Sequence, residues 1–220
     1  MPFKKTALFG VFYLTLVILF IYSTESIVKA QNGLKLKSDT LTQTVLIHPV
    51  IDTDKDNLDL WSREHEYQSG LGQWDQLARD FIVAGVTEDG IIGPYRRGTG
   101  GKNNEDWFGW RRDVLAPFDG TVTRIQLPDS TNTPGIKNPD GRPGGIFFKS
   151  GDVSVIYGHV REIQVQEGQQ VDAGKVVAKV GNNANSTAPH VHVGAWKNGT
   201  PLQIQVVLHA HKELQTKKND

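Results

Sequence analysis

Two histidines separated by one residue, His190 and His192, are the strongest chemical feature of this chain. Val191 lies between them and a largely apolar stretch, residues 193–196, follows, which is typical of a β-strand. Because alternate side chains of a strand point to the same face, the two imidazoles should project together, about 6.6 Å apart along the chain. Such a pair can share a zinc site, one as ligand and one as proton shuttle. The alternative is a pair of surface histidines on an edge strand.

Short segments rich in β-branched residues and punctuated by glycine and proline precede the histidine pair. Residues 114–125 are predicted to form strand, Asp-Gly turn and strand, and residues 145–148 and 153–157 two further strands. Between residues 163 and 181, valines and glycines follow a pattern of short strands joined by tight turns. Regular short strands with frequent turn signals predict an all-β sandwich or barrel.

The region before these strands is polar, and one segment of it shows a helical pattern. Trp74, Leu77 and Phe81 are spaced by three and four residues, which predicts one amphipathic helix over residues 73–84. The predicted organisation is therefore a polar extension with a short helix over 31–100, a β-domain over 101–208 and a tail over 209–220.

The N-terminal 30 residues have the pattern of a signal peptide. Lys4 and Lys5 precede an apolar run over residues 7–22, and Val28-Lys29-Ala30 is an acceptable cleavage site. The alternative is an uncleaved anchor, because the run is only slightly short of a membrane-spanning helix. Either way the rest of the chain is expected to be exported, to the periplasm or cell surface, and to touch a membrane only if the segment is retained.

Composition excludes several functions and ligand types. The chain has 24 basic and 24 acidic residues, so its formal net charge is zero and no electrostatic argument favours nucleic acid as a partner. It contains no cysteine, which excludes disulfides, thiolate metal sites and cysteine nucleophiles. Any metal must therefore be held by His, Asp, Glu or Asn.

A set of short motifs between Asn103 and Ile204 resembles the lysostaphin-type zinc peptidases, exported enzymes that cut peptide cross-links in bacterial cell walls. In chain order these motifs are Asp106-Trp107, Val114-x-Ala116-Pro117-x-x-Gly120-x-Val122, Tyr157-Gly158-His159-Val160, Val165-x-x-Gly168-x-x-Val171-x-x-Gly174, Val180-Gly181-Asn182 and Ser186-x-x-Pro189-His190-x-His192. The resemblance implies a twisted antiparallel sheet of barrel-sandwich type.

The resemblance also implies roles for individual residues. It assigns Asp106 and His192 as ligands of a Zn²⁺ ion, and His159 and His190 as the pair of histidines that handle protons. In this assignment His190 accepts the proton of a water molecule, and His159 steadies the oxyanion formed at the scissile carbonyl.

One position departs from the family pattern. The family carries its first histidine ligand four residues before the aspartate, and Lys102 stands there in this chain. Asn104 is the nearest substitute, because on a strand it would share a face with Asp106, although an amide oxygen suits Ca²⁺ better than zinc. His65, from the extension, is a remote alternative donor.

The favoured function is an exported zinc-dependent endopeptidase that hydrolyses peptide cross-links of bacterial peptidoglycan. The alternative, motivated by Lys102, is a catalytically degenerate module that binds cell wall or regulates a partner hydrolase. A carrier-type or purely structural β-domain is a third hypothesis. It rests on residues 165–181, which resemble the hairpin of biotinyl and lipoyl carrier domains but place no lysine at a tight turn in the expected context.

Overall fold

The structure is a computed structural model that describes residues 43–53, 58–67, 72–87 and 89–207. The predicted signal segment over residues 1–30 and the tail over 209–220 lie outside the described residues. Among the residues that are described, no helix has the length and apolar character needed to cross a membrane.

Fourteen strands and one short 3₁₀ helix, Asn104–Asp106, make up the regular structure of the described residues. The strands are β1 (Thr44–Ile47), β2 (Asp59–Glu64), β3 (Arg79–Val86), β4 (Ile92–Gly93), β5 (Asp113–Leu115), β6 (Gly120–Gln126), β7 (Gly145–Ser150), β8 (Val153–Gly158), β9 (Val160–Arg161), β10 (Gln170–Val171), β11 (Val176–Val180), β12 (Val191–Lys197), β13 (Thr200–Pro201) and β14 (Gln203–Val206).

A nine-stranded antiparallel sheet forms the centre of the fold. Its order is β10-β6-β7-β8-β12-β3-β2, with β13 beside β12 and β4 beside β3. A three-stranded antiparallel sheet, β5-β11-β9, and a parallel pair, β1-β14, complete the described strands. The predicted all-β class with antiparallel sheets is confirmed, and these sheets are open rather than closed into a barrel.

Alternation along β12 separates the core from the face that carries the histidines. Val191, Val193 and Ala195 are fully buried, whereas His192 between the valines is only partly buried. The buried side of the sheet packs into one apolar cluster with other residues that are 2% exposed or less, which include Phe81, Val83, Ile146, Phe148, Val155 and Tyr157. Removing a side chain of this size from water stabilises the folded state by about 1.5–3 kcal/mol.

The amphipathic helix predicted over residues 73–84 is wrong, because β3 begins at Arg79 and a turn precedes it. Leu77 has a φ of 58°, which no α-helix adopts. From Arg79 the true period is two, with Phe81 and Val83 buried and Asp80 on the other face. Trp74 and Leu77 lie in the turn and Phe81 lies in the strand, so their spacing of three and four residues does not mark a helix.

The sequence assigns residues 59–64 and 79–86 to the extension. In the structure they pair as β2 and β3 within the main sheet.

Candidate metal centre

Strand register brings His65, Asp80 and His192 together. His192 on β12 pairs directly with Asp80 on β3. Strand β2 pairs with the other edge of β3, and just beyond its end the main-chain N–H of His65 donates to the oxygen of Ala78 (2.7 Å). One ligand-type atom from each of the three side chains lies within 4.8 Å of the others, and all three residues are partly buried.

The Asp80 carboxylate lies between the two imidazoles. Its Oδ2 is 3.0 Å from Nε2 of His65, and its Oδ1 is 3.0 Å from Nδ1 of His192. Burial alone would raise the pKa of Asp80, but the hydrogen bond with His192 and the neighbouring imidazoles outweigh it and hold that pKa well below its ordinary value. Asp80 is therefore an anion across the physiological pH range.

The outer nitrogen of each of these rings faces an oxygen from the turn before β3. Nδ1 of His65 lies 2.9 Å from Oδ1 of the buried Asp75, and Nε2 of His192 lies 3.4 Å from the main-chain oxygen of Trp74. Burial lowers the pKa of His65, but the hydrogen bonds and charges of Asp80 and Asp75 outweigh it and raise that pKa. Asp75 thus orients the His65 ring, and the main-chain oxygen of Trp74 orients the His192 ring.

These residues fit a divalent metal ion. Two imidazole nitrogens and a carboxylate oxygen are the donor set of many catalytic zinc sites, which leave a fourth position for water or substrate. A ligand histidine commonly gives its second N–H to a carboxylate or main-chain carbonyl, as Asp75 and Trp74 permit here. The two carboxylates, Asp75 and Asp80, also supply the negative charge that balances a divalent cation.

His159 and His190 lie beside this group, so the structure brings all three sequence-predicted histidines together. The ring centroids of His159 and His190 are 4.8 Å apart, and those of His159 and His192 are 6.1 Å apart. Nε2 of His190 lies 3.6 Å from Oδ1 of Asp80.

Both of these histidines give their Nδ1–H to a main-chain carbonyl. His190 donates to the oxygen of Ala188 (2.8 Å) and His159 to the oxygen of Asn183 (2.9 Å). A carbonyl only accepts, so the proton of each neutral ring lies on Nδ1 and its Nε2 is an acceptor. Burial lowers the pKa of both, and with the charges of His190 and His192 it lowers the pKa of His159 to about 3. Near neutral pH each ring therefore presents a free lone pair.

The structure does not bring Asn104 and Asp106 into this group. Oδ2 of Asp106 accepts the main-chain N–H of Asn103 (2.8 Å) within the 3₁₀ helix. Asn104 donates to the main-chain oxygen of Asn132 (2.8 Å) and accepts from Nδ2 of Asn182 (2.9 Å), which links three loops. The partners of His192 are Asp80 and His65 instead. His65 is the remote donor that the sequence suggested, and β2 fixes its position.

Sequence reasoning missed Asp80 and Asp75. A two-residue period over residues 79–84 would have placed Asp80 on the polar face of a strand. The pairing of that strand with β12, which makes Asp80 the neighbour of His192, depends on contacts 112 residues apart in sequence.

Comparison with known proteins finds a family model that matches the segment containing the three histidines. Residues 109–204 match the model of peptidase family M23. An uncharacterized metalloprotease of Haemophilus influenzae is 29% identical over 97 residues, which are 42% of this chain and 18% of that protein's length. The matched family segment includes His159, His190 and His192 but begins after His65 and Asp80.

Several solved structures are similar to the described fold. The catalytic domain of lysostaphin from Staphylococcus simulans is 19% identical, with a TM-score of 0.39 over 66% of this chain and 87% of that one. The deep-sea M23 metalloprotease pseudoalterin is 17% identical, with a TM-score of 0.43 over 72% and 75%. A chain of the SpoIIQ–SpoIIIAH pore-forming complex is 18% identical, with a TM-score of 0.42 over 74% and 89%.

Proposed function

Because residues 109–204 match the model of peptidase family M23, we propose that this chain is an exported zinc-dependent endopeptidase that hydrolyses peptide cross-links of bacterial peptidoglycan. The observation that carries the proposal is the convergence of His65, Asp80 and His192 beside two further histidines. Zinc bound by these three residues would polarise the scissile carbonyl and acidify a water molecule.

His190 is the proposed general base. Its Nε2 is unprotonated near neutral pH, because burial lowers the pKa of the ring and Nδ1–H is given to Ala188. When Nε2 accepts the proton of the attacking water, the resulting imidazolium lies 3.6 Å from Oδ1 of the Asp80 anion. That charge pair stabilises the protonated ring and favours the transfer.

For His159 we propose a role that differs from the one implied by the resemblance. To steady an oxyanion, this ring would need a proton on Nε2, but a ring with a pKa of about 3 is neutral near pH 7 and gives its single N–H, on Nδ1, to Asn183. With Nδ1–H donated to Asn183, Nε2 of His159 accepts hydrogen bonds instead. We assign it to orienting a donor, either the attacking water or a peptide N–H of the substrate.

Substitution of the two candidate aspartates tests this metal centre. Asp80→Asn should remove bound zinc, measured by elemental analysis, and abolish release of amino groups from purified cell wall. Asp106→Asn is the matched control, because Asp106 bonds within the 3₁₀ helix, and it should keep full zinc occupancy. Zinc lost from the Asp106 variant but kept by the Asp80 variant contradicts the assignment.

The alternative function is a degenerate module that binds cell wall or regulates a partner hydrolase. It is favoured by the boundary of the family match, since two of the three proposed ligands lie outside residues 109–204. Binding of the full chain to purified cell wall with and without chelator separates the two functions. Metal-independent binding without cleavage supports the module, whereas cleavage that a chelator stops excludes it.

A further inference from the structure

Asn183 joins three segments of the chain around His159. It is 2% exposed and follows β11. Its Nδ2 donates to the main-chain oxygens of His159 (3.0 Å) and Val160 (3.2 Å), and its Oδ1 accepts the N–H of Gly144 (2.9 Å). Its main-chain oxygen accepts Nδ1–H of His159 (2.9 Å). Both ends of the amide side chain and the residue's carbonyl are therefore occupied.

The His159 backbone needs such support because it adopts a left-handed conformation. Its φ is 61°, a region that residues with a side chain rarely enter. The carbonyl that Asn183 holds belongs to His159 itself, so the same bond fixes the peptide plane that follows this φ. Released from Asn183, the peptide would relax towards the more favourable right-handed or extended region, and the imidazole would turn with it.

Two glycines let the three segments approach closely enough for these bonds. A Cβ at Gly181 would collide with the main-chain oxygen of His159, and a Cβ at Gly144 would collide with that of Val160. Both glycines also lie next to the Asn183 side chain. Gly181 lies beside its Nδ2, and Gly144 donates its main-chain N–H to its Oδ1. The local sequence is thus built around the contact between Asn183 and the 159–160 peptide.

We propose that Asn183 is a positioning residue that fixes both the orientation and the tautomer of His159; its effect on turnover rests on the proposed peptidase function. The side chain holds the backbone of His159, and the main-chain oxygen holds the proton of its ring on Nδ1. Nε2 of His159 is thereby kept as an acceptor facing the reacting groups, without contact between Asn183 and substrate.

The test compares Asn183→Ala with Asn132→Ala in the full chain. Asn132 is also buried, and its Nδ2 also donates to two main-chain oxygens, of Ala184 and Ser186, with no hydrogen bond to His159. The readout is the downfield, slowly exchanging Nδ1–H resonance of His159, assigned by its loss in His159→Gln. We expect wild type and Asn132→Ala to show this resonance and Asn183→Ala to lose it, with zinc occupancy unchanged.

Kinetics give the second readout. On cell-wall peptide, Asn183→Ala should lower kcat about 10- to 100-fold and leave KM within about twofold. If the alanine variant does not fold, Asn183→Asp serves instead, since it keeps the acceptor for Gly144 and removes both donors. A folded variant that keeps the resonance and kcat, or a wild type without the resonance, overturns the proposal. Loss of the resonance in a protein that never cleaves peptide supports the positioning role and refutes the proposed peptidase.

Discussion

At the scale of single residues, the balance of charge around His65 would decide how well the candidate site holds a metal. Asp80 lies against one nitrogen of His65 and Asp75 against the other. Asp80 also reaches Nδ1 of His192 at 3.0 Å, whereas Oδ1 of Asp75 is 3.9 Å from Nε2 of His192 and 2.9 Å from Nδ1 of His65. Asp75 would therefore act on a bound metal mainly through the His65 ring. A partner of this kind sets the tautomer and basicity of a ligand rather than binding the ion.

Asp75→Asn should therefore weaken zinc binding by about 10- to 100-fold without abolishing it. The neutral amide keeps the shape of the side chain, but its oxygen accepts the Nδ1–H of His65 more weakly than the carboxylate does. Competition with a chelator of known affinity measures the change. Asp80→Asn is the reference and should lose far more affinity, and equal losses in the two variants would contradict this ranking.

The buried ring of His159 predicts how stability depends on pH. Its folded-state pKa of about 3 lies below the ordinary value of about 6.5. The unfolded chain therefore takes up the proton first, and the free energy of unfolding should fall as pH decreases from about 6.5 towards 3. Denaturant unfolding of chelated protein at several pH values measures this loss. His159→Gln should show a shallower decrease, and an equal slope in both proteins would refute the cause.

At the scale of elements, β3 connects the core to the metal centre. Phe81 on one face is 2% exposed, and Asp80 on the other reaches two imidazoles. The pairing of β3 with both β2 and β12 then decides which residues meet Asp80. A substitution that disrupts the packing of this strand should therefore displace Asp80 as well as destabilise the fold.

Phe81→Ala should lower the free energy of unfolding by about 3–5 kcal/mol, because it leaves a large cavity in the core. Denaturant titration measures the loss. Leu46→Ala on β1 is the control, since Leu46 is 58% exposed, and it should change stability by no more than about 0.5 kcal/mol. A similar loss from both substitutions would show that burial of Phe81 is not the source.

The elements also show what sequence can predict. The strands around residues 114–125, 145–148 and 153–157 are confirmed, because turn residues and β-branched runs determine them locally. The three histidines were found from spacing and family pattern. The sequence does not identify Asp80, because its role depends on strand register and because the family motif points to Asp106 as the aspartate ligand. Four residues before Asp80 stands Gln76 rather than histidine, so no local signal marked it.

At the scale of the whole molecule, a bound metal would join the region of the consecutive strands β2 and β3 to β12, which lies 112 residues further along the chain. His65 follows β2, Asp80 lies on β3 and His192 on β12. An ion that binds only the folded arrangement stabilises it by mass action, by about 2.7 kcal/mol at a free concentration 100 times its Kd. A metal bound at this centre would therefore add to the stability of the sheet.

Zinc should accordingly raise the Tm of chelated protein in a concentration-dependent way, measured by thermal unfolding. His192→Ala removes one of the three ligands and should abolish most of that shift. Wild-type protein whose Tm does not respond to zinc would contradict binding by the folded chain. Magnesium, which prefers oxygen ligands, is the control ion and should have little effect.

The parallel pairing of β1 with β14 places Thr44 beside Gln203 and Ile47 beside Val206. Parallel strands start at the same end, so the beginning of β1 and the end of β14 are separated by little more than one short strand, about 13 Å. A linker of a few residues spans that gap. A circular permutant that joins these two points and is opened at the exposed Gly151 turn between β7 and β8 should therefore keep every strand of the fold and assemble the same histidines.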